Sequence, residues 1–392
     1  MNSFSLSSFL ANLLNGSMSC DWSQLPDNLL AVISNKFASM DDFVRFGAVC
    51  VSWRSVTVEN RIQLFPPQVP FLMFPNMHDN TRRYFHYLCN GEVYNPVMDV
   101  PSEKFCASST HGWLVTVGVD PDFKVELMNP FFSAENKIEL PPLTSFDQHE
   151  TVEELFPDGY MKKTVLSACP TRTSDYVVMT IYGAQNKLAF TKPGDKQWTT
   201  VAHEHKCFND LIYYKGEFYA VDGEGTVIAC NIKNHSQPKV RKVASPPPDG
   251  PYRKNYIVES LGELFQIRRV LEFDFDGCCS TYNTIAFKVF KLDQYDAIKW
   301  VEMKTMGGQT LFLGDNASIS LSSSDFPQCK PNSIYFTDDA RNLYGLMGPH
   351  DIGVFSLEDG CGQIVEPNPL IDFKGLMPPP IWVEPTLEHG RK

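Results

Sequence analysis

The feature that most constrains this chain is a change of hydrophobic period near Pro66. Between Asp21 and Phe37, Leu25, Leu29 and Ile33 recur at i, i+4 and i+8, and Leu30 and Phe37 widen the stripe. That spacing marks one face of an α-helix. Pro26 suits the first turn, where its missing N–H costs nothing. A second helix is expected from Ser39, which with Asp42 resembles a capping box carrying Asp in place of Glu or Gln. Phe46, Val49, Cys50 and Trp53 then continue a helical face. Such a short helical segment has a large apolar face and little to bury it against, so it must dock onto the rest of the chain or onto a partner.

After Pro66 the period falls to about 2, the alternation of β-strands. Apolar runs at 113–119, 176–182, 211–214, 218–221, 226–232, 286–292, 310–313 and 352–357 are punctuated by Gly, Asp, Asn and Pro. No long helical stretch separates them, so a parallel sheet built from βαβ units is not expected. Lys215-Gly216 and Gly223-Glu224-Gly225 read as hairpin turns. Weak internal echoes are present: Tyr94-Asn95-Pro96 with Met128-Asn129-Pro130, and Lys196-Gln197-Trp198 with Ile298-Lys299-Trp300. Divergent echoes among many short strands predict an irregular β-propeller of about six or seven blades, although the period alone leaves a large β-sandwich open.

Composition narrows the partner classes. Of 392 residues, 34 are basic and 46 acidic, a net charge of −12 that argues against a nucleic-acid backbone or an anionic membrane surface as partner. No apolar run is long enough to span a bilayer. Residues 1–20 carry no charge and lack the marks of a secretory or mitochondrial signal, so a flexible leader is expected. The 11 cysteines are an odd number, several beside apolar runs, which fits free thiols in the cytoplasm or nucleus.

Signals of chemistry are sparse. No phosphate loop, nucleophile elbow or zinc-protease helix occurs. His203, His205 and Cys207 alternate and would share one face of a strand, but they are cramped and lack a fourth ligand, so a polar turn is the better reading. Asp274-Phe275-Asp276-Gly277 opens like a calcium loop yet lacks the remaining ligands, and a hairpin turn is expected instead. Nothing near Cys278-Cys279 would activate either thiol. Asp147, Glu150, Glu153, Glu154 and Asp158 form an acidic stretch, read as a solvated loop or, functionally, as a face that speeds encounter with a basic target.

The helical segment resembles an F-box, the docking element of Skp–cullin–F-box ubiquitin ligases. The likeness rests on Leu25-Pro26-Asp27-Asn28-Leu29-Leu30, Ile33, Asp42-Phe43-Val44-Arg45-Phe46 and the Val49-Cys50…Trp53-Arg54 ending. The remainder resembles the KIB-type F-box-associated β-propeller of plants. Matching stretches include His111-Gly112-Trp113-Leu114, Leu127-Met128-Asn129-Pro130, Gly194-Asp195-Lys196-Gln197-Trp198 and Lys330-Pro331-Asn332-Ser333-Ile334-Tyr335-Phe336. The most distinctive lies near the carboxy terminus, Pro378-Pro379-Pro380-Ile381-Trp382.

The resemblance implies a mainly β fold with an all-α F-box at 21–60 and a KIB-type propeller at 66–385, and the leader at 1–20 has no counterpart in it. It implies a substrate-recognition subunit with no catalytic residue, cofactor or metal of its own. Leu25, Pro26, Leu29, Ile33, Val49, Cys50 and Trp53 match the positions that bury against a Skp-type adaptor, and through it cullin and RING subunits. The propeller would hold an unidentified target protein for ubiquitination, a proximity effect. Two alternatives stand beside this: a scaffold unconnected with ubiquitin, and a propeller enzyme using a pair of carboxylates.

Overall fold

The computed structural model describes residues 21–34, 36, 45–59, 69–75, 83–89, 92–94, 104–119, 121–130, 137–146, 157–204, 207–232, 238–248, 254–276, 279–293, 298–339, 350–364 and 379–384. The chain divides into two compact units, Met1–Pro66 and Pro67–Lys392. The leader, the Ser39–Asp42 cap, the acidic residues from Asp147 to Glu154, His205, Gly277 and Cys278 lie outside the described residues.

In the first unit a single 3-10 turn, Trp22–Gln24, precedes two helices, α1 (Asp27–Ser34) and α2 (Val51–Glu59). Asp21 caps the turn, its carboxylate accepting the Ser23 N–H at 3.0 Å. The Pro26 carbonyl accepts the Leu29 and Leu30 N–H groups at 2.9 and 3.1 Å, so the proline stands where α1 starts and its lack of a donor is harmless. Leu30, Phe46 and Val56 are buried, and the Trp53 ring packs 4.4 Å from that of Phe46.

One expectation is corrected here. The face from Phe46 to Trp53 is not one helix: residues 45–47 are helical, the chain turns at Ala48 and Val49, and α2 begins afresh, with the Cys50 carbonyl accepting the Arg54 N–H at 2.9 Å. Gly47 lies close against α2. A Cβ there would lie 2.8 Å from Thr57 Oγ1, so only glycine lets this segment meet α2 so closely.

The second unit is a β-propeller of six sheets among the described residues. Blade 1 has Phe71–Pro75, Arg83–Tyr87 and Glu92–Tyr94; blade 2 has Lys104–Thr110, Trp113–Gly118, Val125–Met128 and Lys137–Leu140. Blade 3 has Met161–Leu166, Val178–Tyr182, Lys187–Thr191 and Thr199–Thr200; blade 4 has Phe208–Tyr214, Glu217–Asp222, Val227–Asn231 and Lys239–Ala244. Blade 5 has Lys254–Ser260, Glu263–Asp276, Cys279–Asp293 and Lys299–Met303. Blade 6 holds five strands in the spatial order Ser318–Ser322, Gln309–Leu313, Ser333–Phe336, Gly353–Ser356 and Cys361–Ile364.

Burial along each blade follows from its place. Trp113–Gly118 is buried at every position, because both of its faces meet neighbouring blades. The outer strand Lys137–Leu140 has only its last residue fully buried. Innermost strands of blades 2 to 6 contact one another in succession.

Two features anticipated from the sequence find a physical cause. Asp276 and Cys279 are partners in an antiparallel strand pair of blade 5, at the place where a calcium loop was considered. The tryptophan echo is an inter-blade clip. Trp198 Nε1 donates to the Pro141 carbonyl at 2.8 Å, just past the outer strand of blade 2, and Trp300 Nε1 donates to the Ser245 carbonyl at 2.8 Å, just past that of blade 4.

Ring closure is carried by the far carboxy terminus. Ile381–Val383 pairs antiparallel with Phe71, Leu72 and Met73, becoming the innermost strand of blade 1. Trp382 is fully buried there. Its Nε1 donates to the Leu313 carbonyl at 3.0 Å and its ring meets Phe312 edge-on at 5.1 Å. Asn316 pairs with its backbone in both directions, donating to the Trp382 carbonyl at 2.6 Å and accepting its N–H at 2.9 Å. A side chain thus imitates a strand partner between blades 6 and 1.

Candidate functional site

The first candidate site is the outer face of the helical unit. Helix α1 shows Leu30 and Ser34 to the interior, which leaves Leu29 46% exposed, Ile33 37% and Val32 55%. Val49, in the turn before α2, is 56% exposed. Pro26 is exposed, while Leu25 and Cys50 are half-buried. Trp53 differs from the rest. Its indole N–H donates to the Trp22 carbonyl at 2.9 Å and its ring packs on Phe46, so it supports the unit from within. Isolated exposed apolar side chains are common, but Trp22, Leu29, Val32, Ile33, Val49 and Val51, all exposed, concentrate in one short unit. Periodicity pointed to Leu29, Ile33 and Val49, but not to Val32, which stands one residue off the stripe.

The second candidate lies on the propeller axis. Asp210, 1% exposed, is a hub joining four blades. It forms an ion pair with Lys163 of blade 3, accepts Ser318 Oγ–H of blade 6 at 2.6 Å, and accepts backbone N–H groups of Leu211 (2.8 Å, blade 4) and Ile257 (2.8 Å, blade 5). Burial depresses the pKa of Lys163, and Asp210 pulls against that shift. Beside this hub Lys254 pairs with Asp315, and Asp339 accepts the Tyr256 hydroxyl at 2.5 Å and the Asp315 N–H at 2.9 Å. Burial and the Asp315 carboxylate raise Asp339, with Lys254 and Arg269 opposing.

These buried acids are therefore bound up by donors and cations, as buried charges must be. Nothing in the alternation of residues announced the hub. Its one signal is an acid set between the apolar residues Phe208 and Leu211.

Above the hub lies a cavity of about 200 Å³, lined by Ser109, His111, Lys163, Tyr213, Ser318 and Glu384 among others. Its volume suits a single side chain or a few waters. Three blades present the same turn beside their inner strands, with both residues in the left-handed region: His111-Gly112, Lys215-Gly216 and Leu261-Gly262. The first position of each carries a side chain against the usual preference for Asn, Asp or Gly, and Leu261 is 78% exposed there.

The remaining candidates do not converge. His203 and Cys207 flank residues outside the description, and among the described residues no His, Cys, Asp and Glu group could hold a metal ion. Asp158 stands in the helical turn Pro157–Tyr160, and the other acidic residues of its stretch lie outside the described residues.

Known proteins give these two units a context. F-box protein SKIP23 of Arabidopsis thaliana is 28% identical over 403 aligned positions, covering 93% of this chain and 95% of that protein. F-box protein At2g17036 of the same plant is 29% identical over 409 positions, covering 94% and 96%. The model of the KIB1-4 beta-propeller family matches residues 87–356, more than half of the chain, within the unit built of six blades. The chain therefore belongs to the KIB1-4 β-propeller family and is a plant F-box protein with a propeller of the KIB type.

Proposed function

We propose that this protein is the substrate-recognition subunit of a Skp–cullin–F-box ubiquitin ligase, its helical unit docking on a Skp-type adaptor and its propeller holding a target protein. The observation that carries the reading is the uncovered apolar set Leu29, Ile33 and Val49 on a unit whose own core needs none of them. Burying the roughly half of each side chain still exposed would supply about 1 kcal/mol each, and helix-face anchors of this kind dominate docking interfaces. Leu25, Pro26 and Cys50 would complete the contact, and Trp53 would set the height of α2 beneath it.

In this reading the chain performs no bond chemistry. A hydrolytic carboxylate must offer a lone pair to water or substrate, and Asp210 already faces four donors. The protein raises the effective concentration of target lysines near a charged conjugating enzyme, in the cytoplasm or nucleus.

The test is capture of a purified Skp-type adaptor by the full chain. Wild type is expected to bind with a 1:1 stoichiometry, and Leu29→Ala with Ile33→Ala to weaken binding at least tenfold while circular dichroism stays unchanged. Adaptor capture that is absent in wild type, or equal in the double variant, would refute the assignment.

A further inference from the structure

We propose that Cys89 and Cys329 form a reversible disulfide under peroxide, stapling blade 1 to blade 6 across the seam where the propeller closes. The two sulfurs lie 3.2 Å apart although 240 positions separate them in sequence. A cystine bond is about 2.05 Å long, so bonding needs the sulfurs to approach by only about 1.2 Å. Cys89 follows the second strand of blade 1, and Cys329 stands between the Ser318–Ser322 and Ser333–Phe336 strands of blade 6.

The pair sits in the core of the closing seam, with Leu72, Phe74, Leu88, Phe312, Phe326 and Trp382 packed around it. That packing holds both side chains in place. Elsewhere the seam is held by three paired residues of one short strand and by the Asn316 and Trp382 bonds, so a covalent link would add a different kind of restraint.

Access and reactivity are divided between the partners. Cys89 is half-buried and offers the way in, while Cys329 is 3% exposed. The hydrogen bond from Cys89 lowers the pKa of Cys329, and the same bond together with burial raises that of Cys89. Cys329 is thus the sulfur nearer to thiolate and the better first nucleophile.

The steps balance with hydrogen peroxide as oxidant. The Cys329 sulfur gives an electron pair to one peroxide oxygen, the O–O bond breaks, and water leaves, forming a sulfenic acid. The Cys89 sulfur then attacks that sulfur. An S–S bond forms, the S–O bond breaks, and a second water departs with the Cys89 proton. Two thiols and one peroxide become one disulfide and two waters, and a dithiol reductant reverses the change.

The test treats the folded full-length chain with a modest excess of hydrogen peroxide, blocks remaining thiols, and maps peptides without reduction. Exposed Cys207 serves as the internal control for oxidant delivery. The expected result is a peptide pair joined through Cys89 and Cys329, with the propeller's Tm raised by about 3–6 °C and restored by dithiothreitol. The rise should vanish in Cys329→Val, and equally in Cys89→Ser, whose half-buried position tolerates the change should the valine variant fold poorly. Oxidised Cys207 without the joined peptide overturns the proposal, and so does a joined peptide that leaves Tm unmoved.

Discussion

Trp382→Ala should open the propeller at its closing seam. The indole is fully buried, so its removal creates a cavity, and Trp-to-Ala changes of this kind cost about 3–5 kcal/mol. Loss of the Nε1–H donor also removes one of two bonds at the Leu313 carbonyl, which keeps the Thr337 N–H at 3.0 Å, adding at most about 1 kcal/mol. The sum, near 5 kcal/mol, is comparable to the whole stability of a marginal domain. Trp382→Phe keeps an aromatic ring against Phe312 but loses the donor and part of the volume, and should cost about 2 kcal/mol. Asn316→Ala removes both backbone bonds to Trp382 without touching the indole, and should cost about 1–3 kcal/mol. Because both residues dock one strand, the double variant should lose at least ~1 kcal/mol less than the sum of the singles. Urea unfolding followed by far-ultraviolet circular dichroism reads each midpoint. A Trp382→Ala midpoint equal to wild type, or strict additivity in the cycle, would refute the view that this tryptophan holds the ring shut.

The tryptophan clips should differ in weight with their burial. Trp198 is buried and stacks on Phe146, so Trp198→Phe should cost about 2 kcal/mol, whereas the half-exposed Trp300 lets water replace its bond and Trp300→Phe should cost less than about 1 kcal/mol in the same urea experiment. Lys163→Met leaves Asp210 charged and buried without its cation and should destabilise by about 3–5 kcal/mol, and adding Asp210→Asn should recover part of that loss in thermal unfolding. Burial pushes the Cys230 thiol up to about 12, so at pH 8 only about one molecule in ten thousand carries the thiolate. Iodoacetamide at that pH should label exposed Cys207 and spare Cys230 until the chain is denatured, which mass spectrometry of timed samples reads directly.

Strand and helix identity was legible wherever one face met the core, because burial imposes a period on the side chains. The run at 211–214 lies within Phe208–Tyr214, the run at 218–221 within Glu217–Asp222, and Lys215-Gly216 forms the two-residue turn between them. The Phe46–Trp53 face misled for a physical reason: the break at Ala48, Val49 and Cys50 keeps apolar side chains at nearly helical spacing while the helix itself ends.

Order within blade 6 was hidden as well. Gln309–Leu313 pairs parallel with Ser333–Phe336, and the innermost strand Ser318–Ser322 follows its neighbour in sequence instead of preceding it. Alternation reports which face a residue takes and carries no record of which strand lies beside it. The closing strand has three residues, too few for any period, so Pro380-Ile381-Trp382 stood out by resemblance alone.

The exposed apolar side chains of the helical unit set it apart from the propeller. Its described core rests on Leu30, Phe46 and Val56, with Trp53 tucked beside them, whereas the propeller's buried clusters run through all six blades. A unit so small is marginal by itself, and burying the apolar side chains it leaves uncovered would strengthen it. Partner binding to this face would stabilise the unit in proportion to partner concentration over Kd. The propeller's closure rests on contacts of its own at Trp382. Folding of the two units is therefore expected to respond to separate causes: adaptor for the first, and integrity of the closing seam for the second.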